Sequence, residues 1–231
     1  MSNAPKHSTT KKAQLGVYAQ QLKQCQTCYK TTDDLPAGTK LLGCGACGRA
    51  HYCSRECQKV NWKDHKPFCT ANQGVLGAIQ THENRSLATC EDALKKWIQL
   101  QRPLLFLTLA RALELYKTPN RIMDELLVIV LSRTSERAIE KAFVVEEASV
   151  VPMEMVAEKL GPALTSILER SKNSLSSGGG GCGLVMSLVK DYDISHVTPV
   201  QFEHPVTTEE VKPEPQWEEQ LKAAVGVGLK L

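Results

Sequence analysis

Eight metal-seeking side chains crowd into 45 consecutive positions of a 231-residue chain: Cys25, Cys28, Cys44, Cys47, Cys53, Cys57, His65 and Cys69. They fall as C-x2-C, fifteen residues, C-x2-C, five residues, C-x3-C, seven residues and H-x3-C, which is four chelating pairs. This is the number and type of ligands for two tetrahedral zinc ions. Such sites need deprotonated sulfur or neutral imidazole, presented in pairs by chain segments that do so without strain. A two-residue gap does this in a knuckle turn, and Gly43, Gly45 and Gly48 surround the second pair, where a knuckle needs unusual backbone angles and close approach to the metal. Cys53/Cys57 and His65/Cys69 are spaced i, i+4, so each pair projects from one side of a helical turn.

Seven of the nine cysteines lie in this one fifth of the chain, a concentration that dispersed core use does not produce. Disulfides are the competing chemistry. The start MSNAPKHSTTKKAQ lacks the apolar core of a signal peptide, and no stretch reaches the length of a membrane span. The expected setting is therefore intracellular and reducing, cytoplasm or nucleus, and there the pattern reads as metal.

The match to a known pattern extends beyond the ligands. Tyr52, Cys53, Ser54, Cys57, Gln58, Trp62, His65 and Cys69 form Y-C-S-x-x-C-Q-x-x-x-W-x-x-H-x-x-x-C, and in this the segment 25–69 resembles the MYND zinc-finger family. The resemblance implies interleaved ligation: Cys25, Cys28, Cys53 and Cys57 on one ion, Cys44, Cys47, His65 and Cys69 on the other. Spacing alone also permits two sequential sites. The fifteen-residue gap Tyr29 to Gly43 looks long for the family and predicts an extended loop at Thr31 to Gly38. In MYND relatives the finger binds short proline-containing peptides, and the matching groove residues here are Gln58 and Trp62. They are i, i+4 neighbours, so an aromatic plate stands beside an amide on one helix face, suited to an extended proline-rich peptide. The competing role for Trp62 is packing of the finger's small core. Where peptide-binding relatives can use a serine between the third and fourth cysteines, this chain has Gly45, which bears on the peptide sequence preferred.

The finger's apolar complement is thin: Tyr29, Leu35, Leu41, Leu42, Tyr52, Val60, Trp62 and Phe68. Metal must supply the folding free energy, typically ~10–16 kcal/mol for a structural zinc in finger peptides. Four protein ligands per ion close both sites and leave no position for an activated water, so the zincs are read as structural and a zinc hydrolase is disfavoured.

Charge bounds the partners. Residues 1–70 hold eleven Lys/Arg against four Asp/Glu, a balance of +7, while residues 71–231 hold seventeen against twenty-one, a balance of −4. Seven zinc-bound thiolates and two dications bring the first segment to about +4, and no aromatic-interleaved basic stripe accompanies it. Scattered surface lysines fit better than a nucleic-acid interface. Lys11-Lys12 is too small a cluster for an import signal.

Beyond the finger, residues 70–88 read as a linker, polar and glycine-containing, with a short helix at Val75 to Gln80. Thr89, before Glu91 and Asp92, is a candidate helix cap. Ala93, Leu94, Trp97, Ile98 and Gln101 follow helical spacing, and Pro103 either kinks that helix or opens a second one through Tyr116. Leu126 to Leu131 and Ala142 to Val151 read as strands, with Leu184 to Lys190 and Val197 to Phe202 completing a four-strand set. Met153 to Ser174 reads as helix broken at Gly161 and Pro162. The fold class expected is a small zinc-stabilised MYND finger with two interleaved zinc sites, followed by an α+β domain. The division is a disordered or short helical segment at 1–24, the finger at 25–69, the linker at 70–88, the α+β domain at 89–204, and a Pro/Glu-rich linker with a terminal helix, Trp217 to Lys230, at 205–231.

Gly178 to Gly183 formally contains G-x-G-x-x-G, but it follows a helical segment and precedes a strand, the reverse of a dinucleotide loop. A flexible loop is the better reading, with Cys182 a small buried or loop residue. Cys90 and Cys182 lack the paired His and Asn/Asp of a nucleophile, and His51, His196 and His204 do not reach the level of a site.

The function expected is a zinc-dependent adaptor, non-enzymatic, whose finger recognises a proline-containing motif in a partner protein. The first competitor is a SET-type lysine methyltransferase, since some MYND fingers sit inside such enzymes. No Asn-His-Ser-Cys stretch and no late cysteine cluster is present to support it. The second is a nucleic-acid-binding regulator, argued from charge alone.

Overall fold

The computed structural model describes residues 25–229 apart from 29, 31, 33, 82–84 and 161. The expectations for residues 1–24 and for Tyr29 fall outside them.

The finger opens with a turn at 26–28, where the Cys25 amide donates to the Lys30 carbonyl at 2.8 Å. In the expected loop, Leu35 closes back on Thr32 and Thr39 on Pro36, with Gly38 in the left-handed region at φ +83°. Strands β1 (Leu42–Gly43) and β2 (His51–Tyr52) pair antiparallel around the second knuckle. Helix α1 (Arg55–Thr81) follows directly. Its start is legible in the sequence: the Ser54 hydroxyl accepts from the Cys57 amide at 3.2 Å, capping one of the free N–H groups of the first turn.

The linker expected over residues 70–88 is mostly helix. Helix α1 continues to Thr81, and α2 (Arg85–Ala112) begins four residues later, so Thr89 stands inside a helix rather than at its cap. Gly74 and Gly77 are single glycines among helix formers, and each costs only ~1 kcal/mol in a helix already propagating. Pro103 likewise neither ends α2 nor opens a new helix. The helix stops in a left-handed turn at Glu114, φ 45°, where the Leu115 amide returns to the Ala110 carbonyl at 3.0 Å.

Strands β3 (Glu125–Arg133), β4 (Phe143–Pro152), β5 (Gly181–Val189) and β6 (Ile194–Phe202) form one mixed sheet in the order β4-β3-β5-β6. β3 and β5 are parallel, the other pairs antiparallel, with a bulge in the β3–β4 ladder at Val130/Leu131. Short helix α3 (Glu154–Leu160) and α4 (Pro162–Ser176) lie between β4 and β5, and α5 (Trp217–Gly226) closes the described fold.

Helices cover both faces. Leu127, Ile129 and Leu131 of β3 join Trp97, Leu105 and Leu109 of α2 and Leu221 and Val225 of α5 in the larger core. Leu126 of β3 with Leu184 and Met186 of β5 meets Leu164 and Ile167 of α4 in the smaller one. The central strand β5 is therefore almost wholly buried, which is why its sequence shows no polar alternation. The 205–216 segment is more than a linker, since Val206 and Val211 are buried against the larger core. The terminal helix ends at Gly226 rather than at Lys230, which lies outside the described residues.

The glycine run is not a flexible loop. Only Gly178, at φ +84°, has open space around it, while a Cβ at Gly180 would strike the His204 carbonyl and one at Gly181 would strike Ile122. The chain needs glycine there to bring the end of α4 close to β5. Edge strand β6 carries Pro199 without losing the ladder, as expected of an edge, and the Pro199 carbonyl accepts from Arg102 at 3.2 Å.

Candidate metal centres and the finger helix

The first knuckle, the end of β2 and the first turn of α1 bring Cys25, Cys28, Cys53 and Cys57 together. Their sulfurs stand 3.4 Å apart for Cys28/Cys53, 3.4 Å for Cys53/Cys57 and 3.9 Å for Cys28/Cys57. The second knuckle and the next turns of α1 bring Cys44, Cys47, His65 and Cys69 together, all buried. Here Cys44 and Cys69 sulfurs are 3.8 Å apart, and Cys47 Sγ is 3.5 Å from His65 Nε2. The two clusters alternate along the chain, so each helical pair closes a cluster begun by a knuckle far upstream.

These separations test the fit to zinc. With Zn–S near 2.3 Å and Zn–N near 2.0–2.1 Å, a tetrahedron has S···S edges of about 3.8 Å and S···N edges of about 3.6 Å. The observed S···S edges, 3.4 to 3.9 Å, bracket the first value, and the one S···N edge, 3.5 Å, lies close to the second. A van der Waals pair of sulfurs with no shared cation would not gather four donors so tightly.

The knuckle backbones explain how. In the second knuckle the Gly48 amide donates to the Cys44 carbonyl at 2.7 Å and the Cys44 amide to Ala50 at 2.8 Å, with Gly48 left-handed at φ +66°. Burial pushes the Cys25 thiol up, but backbone amides of Cys28, Cys53 and Thr27 outweigh it and bring the group down to about 6. Burial first, and then the neighbouring thiols, push Cys53 and Cys69 up to about 12. One thiolate is thus welcome in the first cluster and further ones repel it, which is the electrostatic demand a dication satisfies.

Tyr52 ties the second cluster to α1. It is fully buried, donates to Asn61 Oδ1 at 2.9 Å, and packs edge-on against the His65 ring at 6.0 Å. Burial and then the surrounding thiolates raise its hydroxyl well above the ordinary tyrosine range. Three supports escaped sequence reasoning: Asn61, the Thr27 hydroxyl on the Cys57 carbonyl at 2.6 Å, and the Gln73 amide directed at Cys69 Sγ at 3.7 Å. Gln73 follows Cys69 by four residues, a signal hidden once that stretch is read as linker.

Of the residues expected in the finger's apolar core, Leu42, Val60 and Trp62 are exposed, at 49%, 72% and 42%. Placement of the Phe68 side chain lies outside the described residues. Trp62 meets the His65 ring edge-on at 6.0 Å, and Gln58 lies half-buried one turn before it. Cys90 and Cys182 are each buried in a hydrophobic core, outside both clusters, and burial pushes both thiols up to about 11. His196 contacts the Thr198 hydroxyl at 3.3 Å and lines a cavity beside the finger.

Residues 16–69 match the MYND finger family. Over 47 residues the chain is 47% identical to the human histone-lysine N-methyltransferase SMYD1, a match covering 20% of this chain and 8% of that protein. It is 42% identical over 66 residues to SET domain-containing protein 14 of Caenorhabditis elegans, covering 29% of this chain and 14% of that one. It is 36% identical over 53 residues to human Egl nine homolog 1, covering 23% and 11%. The chain thus matches only a small part of each of these relatives. No solved structure matches the chain significantly. The matched segment is a MYND finger, a zinc-dependent protein-interaction module, with two Cys/His clusters for two zinc ions. Among the described residues no helix is long and apolar enough to cross a membrane.

Proposed function

We propose that the chain is a non-enzymatic adaptor whose MYND finger, joined to the α+β unit, recognises a short proline-containing segment of a partner protein. In this reading Cys25, Cys28, Cys53 and Cys57 hold one zinc and Cys44, Cys47, His65 and Cys69 the other, while Gln58 and Trp62 contact the peptide. Bound zinc supplies cross-linking, and the residues around it do the rest: the knuckle amides hold thiolates, and Tyr52 and Asn61 fasten the second knuckle to α1. Cysteines without disulfide partners fit a reducing compartment, cytoplasm or nucleus.

The observation that carries the reading is the exposure of Trp62, 42%, beside Gln58 on the turns of α1 that the metal clusters anchor. An indole left in water on a rigid helix contributes little to folding and offers the flat apolar face that proline rings stack upon. The methyltransferase and Egl nine relatives share only the finger with this chain, which lends their catalytic activities no support here.

The test is titration of a proline-motif peptide library against wild type, Trp62→Ala and Gln58→Ala, with zinc measured in each. Loss of an interface hot spot costs about 2 kcal/mol or more, so Trp62→Ala should weaken binding by about thirtyfold while both zincs stay. Gln58→Ala should lose on the order of 1 kcal/mol, one or two exchanged hydrogen bonds. Trp62→Ala that sheds zinc together with binding makes the residue structural, and one that keeps both moves the partner surface elsewhere.

A further inference from the structure

A cavity of about 430 Å³ lies where the finger meets the α+β unit. Its walls come from the loop between β1 and β2, from α1, from the middle of α2, from α4 and from edge strand β6. Five cationic side chains line it, Arg49, Lys95, Lys96, Arg102 and Arg170, and among the described residues no carboxylate does. Arg49 and Lys95 meet the buried Glu91 behind the wall, and Lys95 also reaches Asp92 at 3.9 Å. Lys96, Arg102 and Arg170 have no carboxylate within ion-pair distance among the described residues.

We propose that this cavity binds a small molecule carrying at least two phosphate groups, gripped by Lys96, Arg102 and Arg170 and closed over by the finger's Arg49. Gathering three unbalanced cations on one concave surface costs free energy in the empty protein, and an anion in the cavity recovers it. Two of the three are guanidinium groups, whose planar forks match phosphate oxygens in pairs. A single phosphate monoester brings only about −1.5 to −2 charge near neutral pH, short of three cations, so the ligand carries more than one. The volume lies in the range of roughly 300–1,000 Å³ usual for small-molecule sites. Ile98, Ile167 and Val197 form an apolar stretch of wall for the ligand's organic part.

The surroundings point the same way. Burial, and then the charges of Arg49, Lys95 and Arg102, push the His196 imidazole down to about 3, so it stands neutral beside the cations at ordinary pH. Arg102 is held in place by its bond to the Pro199 carbonyl, so its remaining donors are oriented before a ligand arrives. Walls drawn from both the finger and the sheet suit a compact free phosphate ester better than a phosphorylated side chain on a continuing peptide. Such a ligand would bridge the finger to the α+β unit.

The experiment is calorimetric titration of the zinc-loaded full chain with pyrophosphate and with ADP. A doubly phosphorylated serine peptide and sulfate at matched ionic strength run beside them. The expected result is saturable binding of pyrophosphate or ADP at one per chain, weakened by more than about tenfold in Arg102→Gln/Arg170→Gln with zinc content unchanged. Lys96→Gln, at an exposed position, should weaken it by about threefold to tenfold and serves if the double variant fails to fold. Saturation by the peptide alone, equal binding of sulfate, no saturation by either phosphate compound, or affinity unchanged in the variants that fold would each overturn the proposal.

Discussion

Arg49, on the loop between the finger's two strands, forms an ion pair with Glu91 of α2, with side chains only 12% and 2% exposed. Lys95, one turn further along α2, meets the same carboxylate at 3.5 Å. The pair joins the metal-built part of the chain to the part built by hydrophobic burial. Its environment excludes most water, so it is worth more when broken than a surface pair. Glu91→Ala removes the carboxylate and leaves Arg49 and Lys95 beside each other in a basic wall. We expect a loss of about 3–5 kcal/mol in urea unfolding at neutral pH, and a smaller loss for Glu91→Gln, which still accepts a hydrogen bond. A loss below about 0.5 kcal/mol would place the pair among ordinary surface contacts.

The metal clusters predict a divided response to ligand loss. Native mass spectrometry of the reduced protein should show two zincs per chain, and Cys57→Ala should show at most one. Hydrogen exchange should then rise across residues 25–69, whose core consists mainly of ligand cysteines with Ala50 and Tyr52. Strands β3 and β5 should stay protected, because Trp97, Leu105 and Ile129 pack without reference to the metal. One zinc or none in an unchelated, reduced wild-type sample would sink the two-site geometry.

How far the chain could be read in advance follows from how local each signal is. The four chelating pairs and the four strands were legible, because such pairs and β-branched runs carry their signal within a few residues, while how the pairs combine into two clusters came only from the family resemblance. The continuation of α1 through Gly74 and Gly77 was not, since two glycines and several polar residues mimic a linker while neighbouring turns keep the helix going. Nor was the exposure of Leu42 and Val60, because a short apolar inventory suggests that all of it is used inside. The basic cavity was invisible for a different reason: Arg49, Lys95, Arg102 and Arg170 come from three separate segments, and nothing short of the fold brings them to one wall.

Two thiols outside the finger should prove inert. Cys90 is 1% exposed and Cys182 8%, and burial pushes both up to about 11. At about pH 7.5 a rise from 9.0 to about 11 leaves roughly 100-fold less thiolate than an ordinary cysteine carries, before steric shielding is counted. Iodoacetamide applied to the native zinc-loaded protein should therefore leave both unmodified over hours, as read by peptide mass mapping. Chelation should expose the seven finger cysteines to alkylation without exposing these two. Rapid labelling of Cys182 in the folded protein would mean that the wall formed by α4 opens.

The glycine run separates backbone strain from lack of space. Gly178 and Gly181 both adopt left-handed conformations, φ +84° and +78°, yet a side chain at Gly178 meets nothing within 4 Å. Gly178→Ala should then cost only the left-handed penalty, ~1 kcal/mol. At Gly181 the new methyl would strike Ile122 and approach Ser171 Oγ to 2.8 Å. That hydroxyl accepts from the Cys182 amide at 2.9 Å, so relieving the clash breaks the bond that starts β5 beside α4. Overpacking of this kind adds ~1–3 kcal/mol, giving about 2–4 kcal/mol in all for Gly181→Ala. Urea unfolding of the two variants measures the difference directly. Equal losses would mean that the segment around Gly181 yields freely, and that the glycines serve mobility rather than the close approach of helix and strand.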